Sequence, residues 1–502
     1  MKRAAMLGVL LAAMGASVWA RDWPQLQADS CRTGRTTDEV RQITPGQSDN
    51  NSGWRLKWAW SGDDLITRGS QPLPKKATAA VCGLVQPIVA EGRVFFGALD
   101  GAVYAIDLEE GKQLWRFPTG GPICHTAAWT NGVAIVTSTD SNVYGLDAET
   151  GKKRWELHTR AALVTAPCVA DGMAYVSGRD GFVYALEAKT GDVLWKRNLG
   201  APMQNSPAVG LGKLFVGSED MVFHALDIRD GNELWRHPVM GQSMWHFFPV
   251  VDERNRLVAF HTMSIVGGAE NACYPAMENL LASLPENNWP AEREALLKHL
   301  KEDAPDRRNF YGLNADTGEE PFFAPVGLVG GNNDVPMPPV IDNQGRMLIY
   351  WRTKSSRFIG GTFGTKWPPD IGPVDTKTGD RIKLDLPPDR QAIELDNNFF
   401  LTVGGDCLYG SNHFRGAWYM DMRPGTGKTY GVSRPYAIDR DGGYPLAEGA
   451  YSLYPDRADP VTGPTGAGTW SGLVPVGKYL LSTETYAKCI AVYEGVGKEA
   501  EQ

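Results

Sequence analysis

The feature that most constrains this chain is a phrase that recurs four times at a fixed interval of 40 residues. Each copy begins at a glycine and ends at a tryptophan, over the ranges Gly92–Trp115, Gly132–Trp155, Gly172–Trp195 and Gly212–Trp235. Inside each copy an aspartate, a second acidic residue and a glycine recur in register. Constant spacing over four copies predicts that one structural unit is stacked on the next.

Each copy is patterned as short antiparallel strands. Alternating apolar residues such as Val94 and Phe96 lead into Asp100-Gly101, a pair that suits a tight hairpin turn. Four short strands in roughly 40 residues are typical of a propeller blade. Because a blade has two apolar faces, neighbouring blades must stack and the ring must close. The predicted fold class is therefore an all-β propeller of four-stranded antiparallel blades.

Weaker copies of the pattern continue towards the C-terminus. We interpret Tyr311–Glu320, Val374–Ile382 and Trp418–Lys428 as the ends of a fifth, a sixth and a seventh blade. An eighth blade would keep three strands and finish at Cys489–Glu494, and Trp54–Trp60 would supply its missing strand. The sequence favours eight blades, with seven as the alternative.

Two motifs carry a resemblance to a known family. The segments "ALEAKTGDVLW" at Ala185–Trp195 and "AIDLEEGKQLW" at Ala105–Trp115 resemble the tryptophan-docking motif of quinoprotein-type, PQQ-like repeat β-propellers. The segment Asp22–Thr36 resembles the lead-in of exported bacterial members of that superfamily. The resemblance implies that each repeat tryptophan packs against the turn of the next blade.

The remaining segments are assigned from their composition. We predict a signal peptide at 1–20, a lead-in at 21–53, a propeller at 54–494 whose ring is closed by 54–60 with 469–494, and a tail at 495–502. Insertions are expected at 265–309, with a short helix in blade five, and at 430–468. The predicted localisation is periplasmic or secreted, without a lipid anchor, because the first cysteine, Cys31, lies well beyond Ala20.

Charge and cysteine content exclude several classes of function. The formal net charge of −8 argues against nucleic acid as a partner, and no segment after the leader is apolar enough to span a membrane. The seven cysteines occur singly and form no C-x-x-C motif. Quinoprotein alcohol dehydrogenases carry adjacent cysteines beneath PQQ and a carboxylate, an Asn and an Asp around calcium, which this sequence does not match. We therefore expect no cofactor, and the sequence argues against PQQ with calcium.

Candidate site residues follow from the register of the repeats. Propeller ligands usually bind at one mouth of the central channel, and we expect that mouth to be formed by two sets of loops. One set enters the innermost strands, and the other joins the second strand to the third. The loops that enter the innermost strands carry His125, Asn205, His246 and Trp470. The loops between the second and third strands carry His261, Arg352, His413 and Glu484. Because blades two to four carry Ser138, Gly178 and Ser218 in the second set, the change of residue type afterwards predicts a site.

Chemical roles follow from these residue types. We predict His246 or His261 as a general base and Arg352 as the group that neutralises a substrate carboxylate, so these three are the candidate catalytic residues. The candidate ligand-binding residues are His125, Asn205, His413, Trp470 and Glu484. No H-x-x-x-H or H-E-x-x-H spacing is present, so no metal site is predicted.

Three functions are compatible with these observations. The first is an exported binding or scaffold module with a carbohydrate or protein partner at one propeller mouth. The repeats also resemble the non-enzymatic scaffold propeller of outer-membrane β-barrel assembly, which implies a scaffold role. The second is a carbohydrate-active enzyme such as a polysaccharide lyase. The third is a PQQ-dependent dehydrogenase, which the missing cysteine pair disfavours. Ligand, catalytic status, disulfide connectivity and oligomeric state stay open at the level of sequence.

Overall fold

The alternating apolar residues of each repeat form strands, and the glycine-containing turns between them form hairpins. A computed structural model describes residues 22–41, 55–60, 62, 65–67, 81–240, 242–244, 247–264, 280, 283–284, 288–324, 338–352, 369–374, 376–377, 400–412, 416–422, 429–433, 472–484 and 489–497. Within these residues, seven sheets are built mainly from successive strands, and a further sheet joins the two ends of the chain. The predicted all-β propeller of antiparallel, four-stranded blades is confirmed.

Sheets one to four contain four antiparallel strands each and coincide with the four strong repeats. At their hairpin turns Gly101 and Gly181 have φ values of 76° and 83°, which a residue without a Cβ adopts readily. The strands are Ile88–Ala90, Arg93–Ala98, Ala102–Asp107 and Gln113–Pro118 in sheet one, Ala128–Thr130, Val133–Thr137, Asn142–Asp147 and Lys153–His158 in sheet two, Cys168–Ala170, Met173–Ser177, Phe182–Glu187 and Val193–Asn198 in sheet three, and Ala208–Gly210, Lys213–Ser218, Val222–Asp227 and Glu233–Pro238 in sheet four.

The later sheets are less regular because segments from the N-terminus join two of them. Sheet five contains Val250–Asp252, Leu257–His261 and Phe310–Asn314, and sheet six contains Val340–Ile341, Met347–Arg352 and Pro369–Val374. Sheet seven contains Arg35–Thr36, Thr402–Gly404, Cys407–Asn412, Gly416–Asp421 and Thr429–Ser433. The closing sheet contains Val474–Val476, Tyr479–Glu484, Cys489–Glu494, Arg55–Trp60 and Leu65–Thr67. Two small sheets pair Val40–Arg41 with Val496–Gly497 and Gln242–Ser243 with Met263–Ser264.

The repeat tryptophans join each sheet to the next one. The indole Nε1 of Trp155 donates to the carbonyl oxygen of Ala188 at 3.0 Å, and a Cβ on Gly191 would lie only 2.5 Å from the ring. The same donation from an indole to the following sheet occurs from Trp115 to Ala148, from Trp195 to Ile228, from Trp235 to Ala315 and from Trp58 to Leu108. The docking of each tryptophan on the next turn, which the resemblance implied, is therefore present in this chain.

Apolar side chains fill the spaces between neighbouring sheets. Trp60 of the closing sheet lies 5.0 Å from the ring of Phe96 and 4.4 Å from the ring of Tyr104, both in sheet one. These residues share one buried cluster with Val474 and Ile490. Because the closing sheet packs on sheet one, the two ends of the chain meet within the ring.

An insertion follows the second strand of sheet five and contains the helix α1, Trp289–Lys298. The Asn288 side chain accepts a hydrogen bond from the Ala291 amide at 3.3 Å, and Pro290 stands in the first turn, which suits a helix start. A π-helical turn at His299–Asp303 and a 3₁₀ turn at Pro305–Arg307 follow. The short helix predicted in this insertion is confirmed. Among the residues that the structure describes, no helix has the length and apolar character that a bilayer crossing requires.

The N-terminal segment 22–41, which we call the belt, runs past the innermost strand of one sheet after another. A backbone amide of each innermost strand in sheets one to seven donates to the belt, in the pairs Val89 to Trp23, Trp129 to Pro24, Val169 to the Gln25 side chain, Val209 to Ser30, Val251 to Cys31, Ile341 to Thr33, and Val403 to Gly34. Gly477 of the closing sheet donates to the Asp38 carboxylate at 2.7 Å. The belt therefore satisfies inward-facing amides around the ring and occupies the channel there.

Candidate functional site

His125 and Asn205 lie close together and bind other parts of the fold. The Thr126 amide donates to His125 Nδ1 at 2.9 Å, and His125 Nε2 lies 3.4 Å from the hydroxyl of Ser206. The Asn205 amide group donates to the carbonyl oxygens of Met244 and Phe247, and its Oδ1 accepts from Gly217. Both side chains are about 1 % exposed. His125 thus contacts the loop before sheet four, two sheets further along the ring, and Asn205 contacts the loop before sheet five. Ligand binding by both residues stays a prediction.

His261 is the described member of the predicted catalytic set. Its Nδ1 lies 2.9 Å from the carbonyl oxygen of Asn309, which fixes the proton on Nδ1, and its buried Nε2 has no hydrogen-bond partner. Complete burial lowers the pKa of His261 to about 3, and the Asn309 carbonyl opposes this shift only partly. The imidazole is therefore neutral and weakly basic at neutral pH, and its role as a base stays a prediction.

The other predicted site residues are described only in part or not at all. Arg352 and Glu484 end the strands Met347–Arg352 and Tyr479–Glu484, as expected for residues at a loop, but their side chains are not among those described. His246, His413 and Trp470 lie outside the described residues. The convergence of several imidazoles at one mouth therefore stays a prediction.

A cavity of about 710 Å³ lies at the other mouth of the channel. Its walls are the turns between the first and second strands of sheets three to six, and its floor is the belt. Because these turns lie at the opposite end of the innermost strands from the entry loops, the cavity is on the opposite face from the predicted site. Its lining residues include Asp29, Arg35, Asp171, Leu211, Glu253 and Arg254. We call this opening the belt mouth.

The belt mouth is polar and carries both signs of charge. Glu253 accepts a hydrogen bond from the Leu211 amide at 3.2 Å, and Arg254 donates to the Gln344 carbonyl oxygen at 3.0 Å. Arg35 donates to the carbonyl oxygen of Asp342 at 3.0 Å. Burial raises the pKa of the Asp29 carboxyl, against the opposing hydrogen bonds from Thr33. These bonds hold the walls in place, and the exposed charges suit a polar ligand or protein segment.

Sequence reasoning missed a hydrogen-bonded cluster in sheet four. In sheets one to three the tyrosines 104, 144 and 184 donate to the aspartates 100, 140 and 180 at 2.6 to 2.7 Å. Sheet four has His224 at the tyrosine position, and its Nε2 lies 2.9 Å from the Ser218 hydroxyl. The other nitrogen, Nδ1, lies 2.6 Å from Glu233 Oε1. The histidine that breaks the tyrosine repeat was the available signal.

Groups of the protein itself occupy the interior of the channel. The belt occupies the channel, and its Arg32 guanidinium already donates to the carbonyl oxygens of Leu26, Pro167 and Pro207. No three His, Cys, Asp or Glu side chains within the described ranges are grouped so that they could hold a metal ion. The absence of PQQ stays a prediction.

A family model described as outer membrane protein assembly factor BamB matches residues 9–167 and 162–261, which together span half of the chain. The chain belongs to the PQQ-like repeat β-propeller superfamily. No curated protein matches this superfamily member significantly in sequence.

Solved structures of PQQ-like and designed proteins resemble the fold at low sequence identity. Quinohemoprotein alcohol dehydrogenase from Comamonas testosteroni is 13 % identical with a TM-score of 0.50, over 82 % of this chain and 72 % of that one. BamB from Moraxella catarrhalis is 12 % identical with a TM-score of 0.49, over 83 % and 97 % of the two chains. The computationally designed Ika8 protein is 10 % identical with a TM-score of 0.48, over 85 % and 100 %. At such identities the likeness to the dehydrogenase concerns the fold alone.

Proposed function

We propose that this chain is an exported binding or scaffold module of the cell envelope that engages a partner at a mouth of its propeller. The matching family model is named for an outer-membrane assembly factor, which supports a scaffold role and a place in the envelope. Export would follow cleavage of the leader after Ala20. The observation that carries the proposal is the belt, which occupies the channel and leaves a polar cavity at one mouth.

We infer further that the ring has eight blades. Successive innermost strands lie against each other from sheet one to sheet five and from sheet six to the closing sheet. Thr402 of sheet seven donates to the Leu473 carbonyl oxygen just before the closing sheet. Thr483 of the closing sheet donates to the Val85 carbonyl oxygen beside sheet one. The closing sheet thus contacts the sheets on both sides of it, which supports its place as an eighth blade.

The belt mouth is the proposed contact surface for a protein partner. Asp171 and Glu253 lie on its rim with exposed side chains, and Arg35 and Arg254 lie nearby. A concave surface with both positive and negative side chains selects its partner mainly by complementary charge. Burial of apolar area contributes less at such a surface. A partner segment with both basic and acidic residues would match this rim.

Photo-crosslinking in the native cells tests this surface. A photoreactive amino acid at position 171 or 253 is expected to give an adduct with the same partner protein, identified by mass spectrometry. Charge reversal by Glu253→Arg should abolish the adduct formed from position 171, because it changes the sign of a rim charge. A matched control is position 156, an exposed glutamate on the outermost strand of sheet two. Equal adducts from position 156, or none from the rim, would contradict the proposal.

Addition of PQQ and Ca²⁺ to the purified chain is expected to leave its unfolding midpoint unchanged. A ligand that binds the folded state at a hundred times its Kd would stabilise it by about 2.7 kcal/mol, which is easily detected. The measurement is a thermal melt at increasing PQQ, with a quinoprotein dehydrogenase as positive control. A saturable rise in the midpoint would show that the channel accepts the quinone.

A further inference from the structure

Sheet four departs from the repeat at more than one position around Ser218. His224 replaces the tyrosine of sheets one to three, and Met221 has a φ of 64° where the earlier sheets have Gly101, Ser141 and Gly181. A methionine in the left-handed region is strained, and such strain persists mainly where surrounding structure enforces it, often at functional sites. The departures from the repeat and the strained turn therefore point to the same place.

The hydrogen bonds around His224 define which group carries each proton. Glu233 can only accept at 2.6 Å, so a hydrogen stands on Nδ1 of His224. When the imidazole is neutral, its Nε2 is an acceptor 2.9 Å from the Ser218 hydroxyl, whose single proton can also be donated to Asp220 Oδ1 at 2.5 Å or to the Val222 carbonyl oxygen at 3.0 Å. When the imidazole is charged, Nε2 donates and the Ser218 hydroxyl turns to Asp220, 2.5 Å away. The neutral form is the one that can remove the proton of Ser218.

The surroundings favour the neutral form of His224. Burial lowers its pKa below the usual 6.5, and the nearby Arg236 acts in the same direction. Glu233 and Asp220 oppose this shift without overcoming it. At neutral pH the imidazole is therefore a hydrogen-bond acceptor for Ser218, in the arrangement of a nucleophile, a base and an orienting carboxylate.

We propose that Ser218 is a nucleophile towards small acyl and organophosphorus electrophiles, with His224 as its general base and Glu233 as a positioning residue. Ser218 Oγ forms a bond to the electrophilic atom, which is the acyl carbon of an ester or the phosphorus of a phosphonate, while its proton moves to His224 Nε2. The leaving group departs with its bonding electron pair and takes that proton. For an ester substrate, water then attacks the acyl carbon and gives a proton to Nε2. The bond between the acyl carbon and Ser218 Oγ breaks, Oγ keeps the electron pair and takes the proton back from Nε2, and the acid is released with Ser218 and neutral His224 restored.

The burial of Ser218 limits the class of substrate. The residue is 1 % exposed, and it stands directly before the hairpin turn that contains Glu219 and Met221. Burial of the Glu219 carboxyl raises its pKa, with Ser243 as a hydrogen-bond partner at 3.1 Å. A substrate must therefore be a small, uncharged ester rather than a polymer or an anion.

A fluorophosphonate probe on the full-length chain tests the proposal. We expect one phosphonylated residue, Ser218, identified by peptide mass spectrometry, with fluoride as the leaving group. The labelling rate should rise with pH through the pKa of His224 and then stay constant, because only the neutral imidazole accepts the proton. Ser218→Ala should abolish labelling, and Ser138→Ala, at the equivalent position in sheet two, should not change it.

Substitution of the base gives the sharpest comparison. His224→Tyr restores the residue of sheets one to three, so it should fold, and it should slow labelling by about 10²-fold or more. His224→Gln provides a second variant without a general base. Glu233→Gln should slow labelling less and move its pH profile to lower pH, since a carboxylate that favours the imidazolium is lost. An unlabelled wild type, or wild-type labelling rates in both His224 variants, would overturn the proposal.

Discussion

Arg32→Ala is expected to lower the free energy of unfolding by about 3–5 kcal/mol, because it removes the buried charge that holds the belt in the channel. Arg32 is completely buried and donates to the carbonyl oxygens of Leu26, Pro167 and Pro207 at 2.8 to 3.1 Å. Its loss leaves three buried acceptors without a donor. The midpoint of urea unfolding measures the change.

Two further variants serve as controls for the Arg32→Ala substitution. Arg32→Lys keeps the charge but lacks the planar fork of donors, so it should recover only part of the loss. Arg154→Ala removes an exposed arginine whose partner is Asp147, and it should change stability by about 1 kcal/mol or less. If Arg32→Ala were as mild as Arg154→Ala, the belt would contribute little to the stability of the ring.

Trp155→Ala should destabilise the chain by about 3–5 kcal/mol, as expected for a large aromatic side chain removed from a buried site. The ring lies against Gly191 of sheet three, and its indole nitrogen donates to Ala188. The substitution leaves a cavity between sheets two and three and an unpaired carbonyl group. Hydrogen exchange should become faster in the outer strands of both sheets, in addition to the shift in the urea midpoint.

A graded series separates packing from hydrogen bonding at this contact. Trp155→Phe keeps much of the apolar volume but loses the indole donor, so its effect should fall between those of wild type and alanine. Leu194→Ala, in the outer strand of sheet three, is the control because this leucine is 55 % exposed. If Leu194→Ala lowered the free energy of unfolding as much as Trp155→Ala, the docking contact would contribute no more to stability than an exposed side chain.

Much of the ring could be predicted because the residues that specify each blade lie close together in sequence and recur in every repeat. Alternating apolar residues, turn glycines and the terminal tryptophan recur at each copy, so sheets one to four matched the repeat. The N-terminal residues Arg55–Trp60 pair with Cys489–Glu494, where the sequence placed a closing strand. The weaker copies after Pro249 still produced strands, since alternation survives where individual motif residues are lost.

The candidate site was harder to predict because it depends on which groups meet across sheets. Register placed His125 and Asn205 at one mouth, yet in the structure their polar atoms bind Ser206 and the backbone of the next sheet. The cavity lies at the other mouth, where the belt forms its floor. Belt contacts combine backbone groups with side chains such as Arg32, and the distant segments that these groups meet are not specified by the local sequence.

The sequence by itself determined the architecture, since a period of 40 residues and the hydrophobic alternation within it admit stacked antiparallel blades. It also has His224 where the earlier repeats have tyrosine, a signal that the sequence-based prediction of the site did not use. Only the tertiary structure decided where the N-terminal segment lies and which mouth holds the cavity. It also decided that Ser218, His224 and Glu233 are linked by hydrogen bonds. Local patterns specify strands and their neighbours, whereas contacts between distant segments depend on closure of the whole ring.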